Sequence, residues 1–273
     1  MIGRSACRTR LDTGKAKAQQ IQLLDECIDN GLMTWGGLSG VARAHLPGQA
    51  AVAAHPLKRH PAILCWYNCD EPDHGSWNVP PPEIRYMSTV LHEEDPNHPT
   101  SVLMMPWAPS NLYQYSDTAD IQMTDSYSWT VSQVIEETDT LRASTGQNRP
   151  MWMVLRFAWD SEADPSSEYL YATTYGAITH TANGVLWFAY KPSSPSWSTL
   201  VDITLELEEL SPALVSDTSP LEVTVSDPDI HTILKEYDGD LYLIAVNISS
   251  AVNNVDLTVA GVTATTAQVK FES

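Results

Sequence analysis

The chain has 273 residues, room for one large domain, or a medium one with a small companion, at ~100–200 residues per domain. With 43% apolar and 18% charged residues it can build a sizeable core, which excludes wholesale disorder. Its 34 acidic and 15 basic side chains leave a net charge of −19, which argues against grip on nucleic-acid phosphates and against docking on anionic membranes.

In chain order, MIGRSACRTRLDTGKAK is basic but has no apolar stretch behind it, so it does not read as a signal peptide. Ile21, Leu24 and Ile28 recur at helical spacing, and Gly31 follows as a C-terminal cap. LMTWGGL (32–38) reads as a buried strand. A looser stretch through AAVAAHPLKRH leads to a second strand, AILCWYNC (62–69). PPPEIRYMSTVLHEE is a helix with prolines at its start. A third strand lies in 100–107 and a fourth within 120–129. VSQVIEETDTLRAS is a helix closed by Gly146. A fifth strand lies in 149–159, then a helix in SSEYLYATTYGAITHTA, then a sixth strand at 184–190. Leu200, Ile203, Leu207 and Leu210 mark one more amphipathic helix.

Apolar strands alternating with helices predict an α/β fold with a parallel sheet covered by helices. No glycine-rich phosphate-binding turn is present, which disfavours dinucleotide and P-loop folds. A TIM-type (β/α) barrel fits better, but only six strands are counted, so the barrel is read as incomplete at its N-terminus, starting at its third strand. All nine tryptophans lie between Trp35 and Trp197, and no Trp, Cys or Met occurs after about residue 216. The expected organisation is therefore a barrel-type domain over 1–216 and a small antiparallel β-sandwich over 217–273, with Asp238-Gly239 as a hairpin turn. Cys65 and Cys69 lack the partners of a zinc site and read as buried free thiols.

In a parallel barrel, function gathers at the C-terminal ends of the strands. The residues expected there are Trp35, Asp70, Glu71, Trp107, Asp125, Tyr127, Trp129, Arg156, Trp159, Asp160, Glu162, Trp187, Tyr190 and Lys191. Carboxylates mixed with indoles suit a carbohydrate, whose C–H faces stack on rings and whose hydroxyls need polar partners. Glycosidic cleavage needs two carboxyl groups, one to donate a proton and one to attack or to activate water. A carboxyl beside another carboxylate and among aromatic groups keeps its proton longer, which favours Glu71 as the donor. Equally, Asp70-Glu71-Pro72 could be only a turn or a cap. None of the eight histidines shows metal-type spacing; His60 reads as a turn residue, and His74 as a group able to tune Glu71.

The segment HPAILCWYNCDEPDHG (60–75) resembles the fourth-strand signature of clan A-like glycoside hydrolase barrels, with its His-Pro-Ala, Trp-Tyr and Asp-Glu-Pro elements. DIQMTDSYSW is similar to their sixth-strand segment, RPMWMVLRFAW to their seventh strand, and YGAITHTANGVLWFAY to their seventh helix and eighth strand. DGDLYLIAVNIS and the closing VKFES resemble the β-domain that often follows. The resemblance implies that Glu71 is the general acid/base and that Asp70 stands where many such enzymes hold a sugar-contacting Asn. Retaining members carry a Glu at the end of the seventh strand, where this chain offers Arg156. The second carboxylate is left between Asp125 and Asp160, and the choice between retention and inversion stays open.

The expected activity is hydrolysis of O-glycosidic bonds in an oligo- or polysaccharide, with no metal or cofactor implied. Asp70 and Tyr127 would orient sugar or carboxylates, Arg156 would line the site, and Trp35, Trp107, Trp129, Trp159 and Trp187 form the pool of stacking platforms. The alternative is a glycan-binding protein on a barrel that has lost catalysis. The resemblance implies an exported protein. The missing start leaves an open sheet edge, for which a homodimer or a fragment of a longer chain is expected.

Overall fold

The computed structural model describes residues 6–9, 17–106, 108–158, 163–252, 254–263 and 266–271. Seven strands form one parallel sheet: β1 (Ala6–Thr9), β2 (Met33–Gly37), β3 (Ile63–Asp70), β4 (Thr100–Met104), β5 (Ile121–Ser126), β6 (Met151–Arg156) and β7 (Gly184–Phe188). Their spatial order is their chain order, β1 through β7. Between them run α1 (Lys17–Asp29), the short α2 (Ser39–Arg43) and α3 (Gln49–Ala54), α4 (Pro81–Glu94), α5 (Pro109–Tyr115), α6 (Val131–Thr145) and α7 (Ser167–Thr179). α8 (Trp197–Leu214) follows β7.

The first correction concerns the start. β1 precedes the opening helix and pairs with β2, so the sheet has seven strands rather than six. The buried face of α1 is Gln20, Leu24 and Cys27, not the Ile28 that spacing suggested.

The sheet is rolled into a trough. Neighbouring strands sit ~4.8 Å apart, so β2 and β6 would be ~19 Å apart in a flat sheet. Yet Trp35 on β2 stacks on Trp152 of β6, ring centroids 5.9 Å apart. The concave face is a cluster of Trp35, Cys65, Tyr67, Leu103, Ile121, Met123, Trp152 and Val154. The convex face, from Trp66, Val102, Met104, Met151, Met153 and Leu155, packs on the helices in a larger cluster. Alternation assigns the two faces, because successive side chains of a strand point to opposite sides. The curled, open parallel sheet is that of an incomplete barrel.

Local chemistry sets the helix ends. Thr130 caps α6 by accepting from the Gln133 N–H, and Ser166 caps α7 by accepting from Tyr169. Gly146 closes α6 with φ of +73°, a conformation that favours glycine.

The expected β-sandwich is the second correction. The C-terminal region holds β8 (Val223–Val225), β9 (Ile230–Tyr237), β10 (Asp240–Asn247) and β11 (Leu257–Val259) in two separate two-stranded antiparallel ladders, β9–β10 and β8–β11. The β9–β10 turn is Asp238-Gly239, both residues at positive φ, as the hairpin signal predicts. Ile233 and Ile244 of this hairpin bury against Leu170 and Ile178 of α7 and Leu200, Ile203 and Leu207 of α8, so the hairpin finds its apolar partner in helices rather than in a second sheet.

Candidate active site

The carboxyl ends of β3 and β5 bring three acids together. Near the end of β3 the register against β4 slips by one residue between Tyr67 and Cys69. A slip of this kind re-aims the residues that follow it. Asn68 turns to the helices, where its amide donates to Ser88 Oγ at 2.7 Å. Asp70 is held from three sides. Its N–H donates to Ser39 Oγ (3.1 Å), Tyr67 Oη donates to Oδ1 (2.5 Å), and Arg43 Nη2 donates to the Asp70 carbonyl (2.7 Å) and lies 3.4 Å from Oδ2.

Glu71 leaves the strand with φ of +49°, in the left-handed region. There its carboxyl comes within hydrogen-bond reach of Asp125. Asp125 shares the concave face with Ile121 and Met123 and is 1% exposed. Burial, the hydrogen bond to Glu71 and the Glu71 charge, with a further push from Asp70, raise the Asp125 carboxyl to about 8. Two acids in contact cannot both ionise cheaply, so Asp125 holds its proton to higher pH than a lone carboxyl. Asp125 Oδ1 is buried with no hydrogen-bond partner among the described residues, a situation a neutral carboxyl tolerates better than a charged one. Glu71 is the more accessible member of the pair.

Tyr127 continues the concave face beyond β5. Its hydroxyl hydrogen-bonds Asp125 and is held in the phenol form by burial, then by the charges of Asp125, Asp70 and Glu71. Its ring lies 5.6 Å from Phe188. Asp73 anchors the loop after β3, accepting from the Met105 N–H and the Asn111 amide at 3.2 Å each. Burial raises its carboxyl, and those two hydrogen bonds restrain the rise.

The other expected residues divide. Arg156 ends β6, buried, with its guanidinium against the Trp129 ring and Nη2 donating to the Ala163 carbonyl at 3.1 Å. Trp129 is 58% exposed on the rim and is available as a platform. Trp35 is 4% exposed, wedged between Tyr67 and Trp152, and is part of the trough floor rather than a stacking surface. Trp187 points the other way. It packs on the helix-facing clusters, away from the acids, so its assignment as a platform is corrected. His74 accepts the Ser76 N–H at 3.1 Å and lies beside Trp77. Trp107, Trp159, Asp160 and Glu162 lie outside the described residues.

Sequence reasoning missed four contributors. Ser39, Arg43 and Tyr67 reach Asp70 from three different positions in the chain, and no local pattern announces that convergence. Trp77, 39% exposed, carries the Arg43 guanidinium 4.0 Å from its ring centre. Its place six residues after Glu71 was a signal that could have been read.

A cleft of about 650 Å³ opens at the opposite end of the strands, between Pro99, Asp120, Pro150 and Asn183, with Arg85, His92 and Arg149 on its walls. None of the rim acids lines it.

Comparison with solved structures identifies the fold. The β-galactosidase of Marinomonas ef1 aligns with a TM-score of 0.60 at 11% identity, covering 76% of this chain and 55% of that one. The β-galactosidase of Halorubrum lacusprofundi gives 0.59 at 12% identity, covering 80% and 55%. A GH30 endoxylanase from Clostridium papyrosolvens gives 0.56 at 12% identity, covering 90% and 75%. The chain therefore spans about half the length of these β-galactosidases. No family model matches the sequence, and no curated protein matches it. The fold is that of the glycoside hydrolase barrels.

Proposed function

We propose that the protein hydrolyses an O-glycosidic bond of an oligo- or polysaccharide, with Glu71 as the proton donor. The observation that carries the reading is the meeting of Glu71 and Asp125 at the carboxyl ends of parallel strands, with burial and the Glu71 contact raising the Asp125 carboxyl. A donor to a leaving oxygen must still be protonated near neutral pH, and a shared proton meets that need. Glu71, the accessible member, passes the pair's proton to the glycosidic oxygen as the C–O bond breaks, leaving both carboxyls ionised until solvent returns a proton before the next turnover. Trp77 and Trp129 offer exposed indole faces for the sugar rings.

Asp125 is too close to Glu71 to be the second carboxylate of the reaction. Retaining pairs stand ~5–5.5 Å apart, and inverting pairs ~6.5–9.5 Å, to admit substrate or water between them. With Arg156 at the end of β6, we assign the second carboxylate to Asp160 on its place in the sequence after that strand. In this role it accepts the proton of the attacking water or attacks the anomeric carbon itself.

The second reading, a glycan-binding protein without turnover, is favoured by one observation: β6 ends in an arginine where a carboxylate would complete the pair. Chromogenic glycosides and polysaccharides assayed with wild type and Glu71→Gln separate the two, with circular dichroism to establish that both fold. A loss of ~10²-fold or more in the variant supports Glu71 as the donor. Equal activity in both removes Glu71 from the chemistry. Folded protein that binds glycans and turns none over favours the second reading.

A further inference from the structure

We infer that Arg43 is a positioning residue: by clamping Asp70 it fixes the peptide plane that aims the Glu71 carboxyl at Asp125. The inference rests on the reading of Glu71 as proton donor and adds the device that keeps it in place.

The φ angle of Glu71 is a rotation about its own N–Cα bond, so it is set by the peptide plane that joins it to Asp70. That plane is pinned at both ends. The Asp70 carbonyl accepts from Arg43 Nη2 at 2.7 Å, and the Glu71 N–H donates to the Leu103 carbonyl at 2.9 Å. Just before it, the Asp70 N–H is taken by Ser39 Oγ, and the carboxyl by Tyr67 and Arg43. Just after it, the Glu71 carbonyl accepts the His74 N–H at 3.0 Å. A glutamate at φ of +49° is disfavoured, and such a conformation persists only where its surroundings over-determine it. Arg43 is the member of this set that acts on both the backbone and the side chain of Asp70. It arrives from the last residue of α2, whose first residue, Ser39, holds the Asp70 N–H, and it is braced from behind by the Trp77 ring.

Arg43 also bears on the charge of the site. Asp70 is one of the groups that push the Asp125 carboxyl upward. The guanidinium beside Asp70 offsets that negative charge. Removing it makes the pair hold its proton to higher pH, and frees the plane that orients Glu71.

The test uses the full chain as wild type, Arg43→Gln and Arg43→Lys, each established as folded by circular dichroism and thermal melting. Difference infrared spectroscopy across pH reads the C=O band of the protonated pair, identified by its loss in Asp125→Asn, and needs no turnover. Glycosidase assays supply kcat and KM. In Arg43→Gln the band's titration midpoint moves up, and kcat falls ~10–10²-fold with KM within about threefold, as expected of a misaimed group. Arg43→Lys restores the midpoint toward wild type, because it returns the charge, but recovers kcat only in part, because a single ammonium cannot hold both carbonyl and carboxylate. A folded Arg43→Gln with unchanged midpoint and unchanged kcat overturns the inference. So does an equal fall in kcat across all pH values with the midpoint fixed, which marks a merely structural role. If wild type itself has no glycosidase activity, the reading of function fails, and the infrared midpoint still decides whether Arg43 governs the pair.

Discussion

Glu71 meets Asp125 at the carboxyl edge of the sheet, and His180 meets His231 where β9 lies against the end of α7. Both contacts join like titratable groups. The histidine rings touch through His180 Nε2 and His231 Nδ1 at 2.5 Å, with centroids 4.8 Å apart, and His180 Nδ1 pairs with Asp139 on α6 at 2.6 Å. The surroundings of the two pairs differ. Asp125 is buried beside Glu71 and a third acid, Asp70, whose charges both favour retention of its proton. In the histidine pair, burial and the His180 charge hold His231 below the ordinary histidine value, while Asp139 and Asp229 pull the other way. The first environment favours a proton at the carboxyl ends of the strands. The second balances charge across a packing contact. Contact between like groups is therefore not by itself a mark of chemistry; what distinguishes the two pairs is whether the surroundings add to the conflict or cancel it.

That contrast can be broken from the fold side. A Cβ on Gly184 would meet the Trp152 ring at 2.6 Å. Trp152 forms part of the trough under the carboxyl pair, whereas the histidines lie outside it. Gly184→Ala is expected to cost ~1–3 kcal/mol as an overpacked core, measured by urea unfolding, and to disturb the carboxyl pair's infrared band. Histidine NMR titrations should stay as in wild type.

The next expected effect concerns protonation alone. The folded state raises Asp125 to about 8, so folding is favoured while the pair is protonated and loses that stability as pH rises toward 8. Asp125→Asn mimics the neutral acid. Its melting temperature should exceed that of wild type by a few degrees at pH 8, and the difference should shrink toward pH 5. A gap that widens toward acid would contradict the assignment.

The smallest effect belongs to the histidines, with the opposite sign. His231 is depressed in the folded state, so its share of stability is present above the unfolded value of ~6.5 and fades as pH falls below it. In His231→Asn the acid-side slope of melting temperature against pH between about 5 and 7 should flatten, by about a degree across the range. The Asp125→Asn slope should be untouched, since the two sites share no partner.

The contrast also explains what could be read without coordinates. Strand ends at Asp70-Glu71 and at Asp125 follow from apolar runs and their polar stops, and Glu71 and Asp125 do meet. β1 escaped because four residues carry no periodicity, and α2, α3 and α5 because elements of five to seven residues leave too few turns to show a face. Trp187 was misassigned for a deeper reason. In a sheet buried on both sides, both parities of a strand are apolar, so alternation alone does not tell trough from helix side. The clamp on Asp70 and the histidine contact join residues 27 to 51 positions apart, and such meetings are products of the fold.

The strand order carries a consequence for how the chain is made. Every strand of the parallel sheet is hydrogen-bonded only to its predecessor and its successor in sequence. During synthesis each new strand–helix segment can therefore dock on the edge left by the one before it, with no strand waiting for a distant partner. The growing sheet presents an unsatisfied edge at its newest strand, and a pause in translation after any helix would leave that edge open to a neighbouring nascent chain. Glu71 would be in place early by this route, and Asp125 would reach it only two strands later, so the shared proton appears when the trough has curled enough to bring β5 over β3.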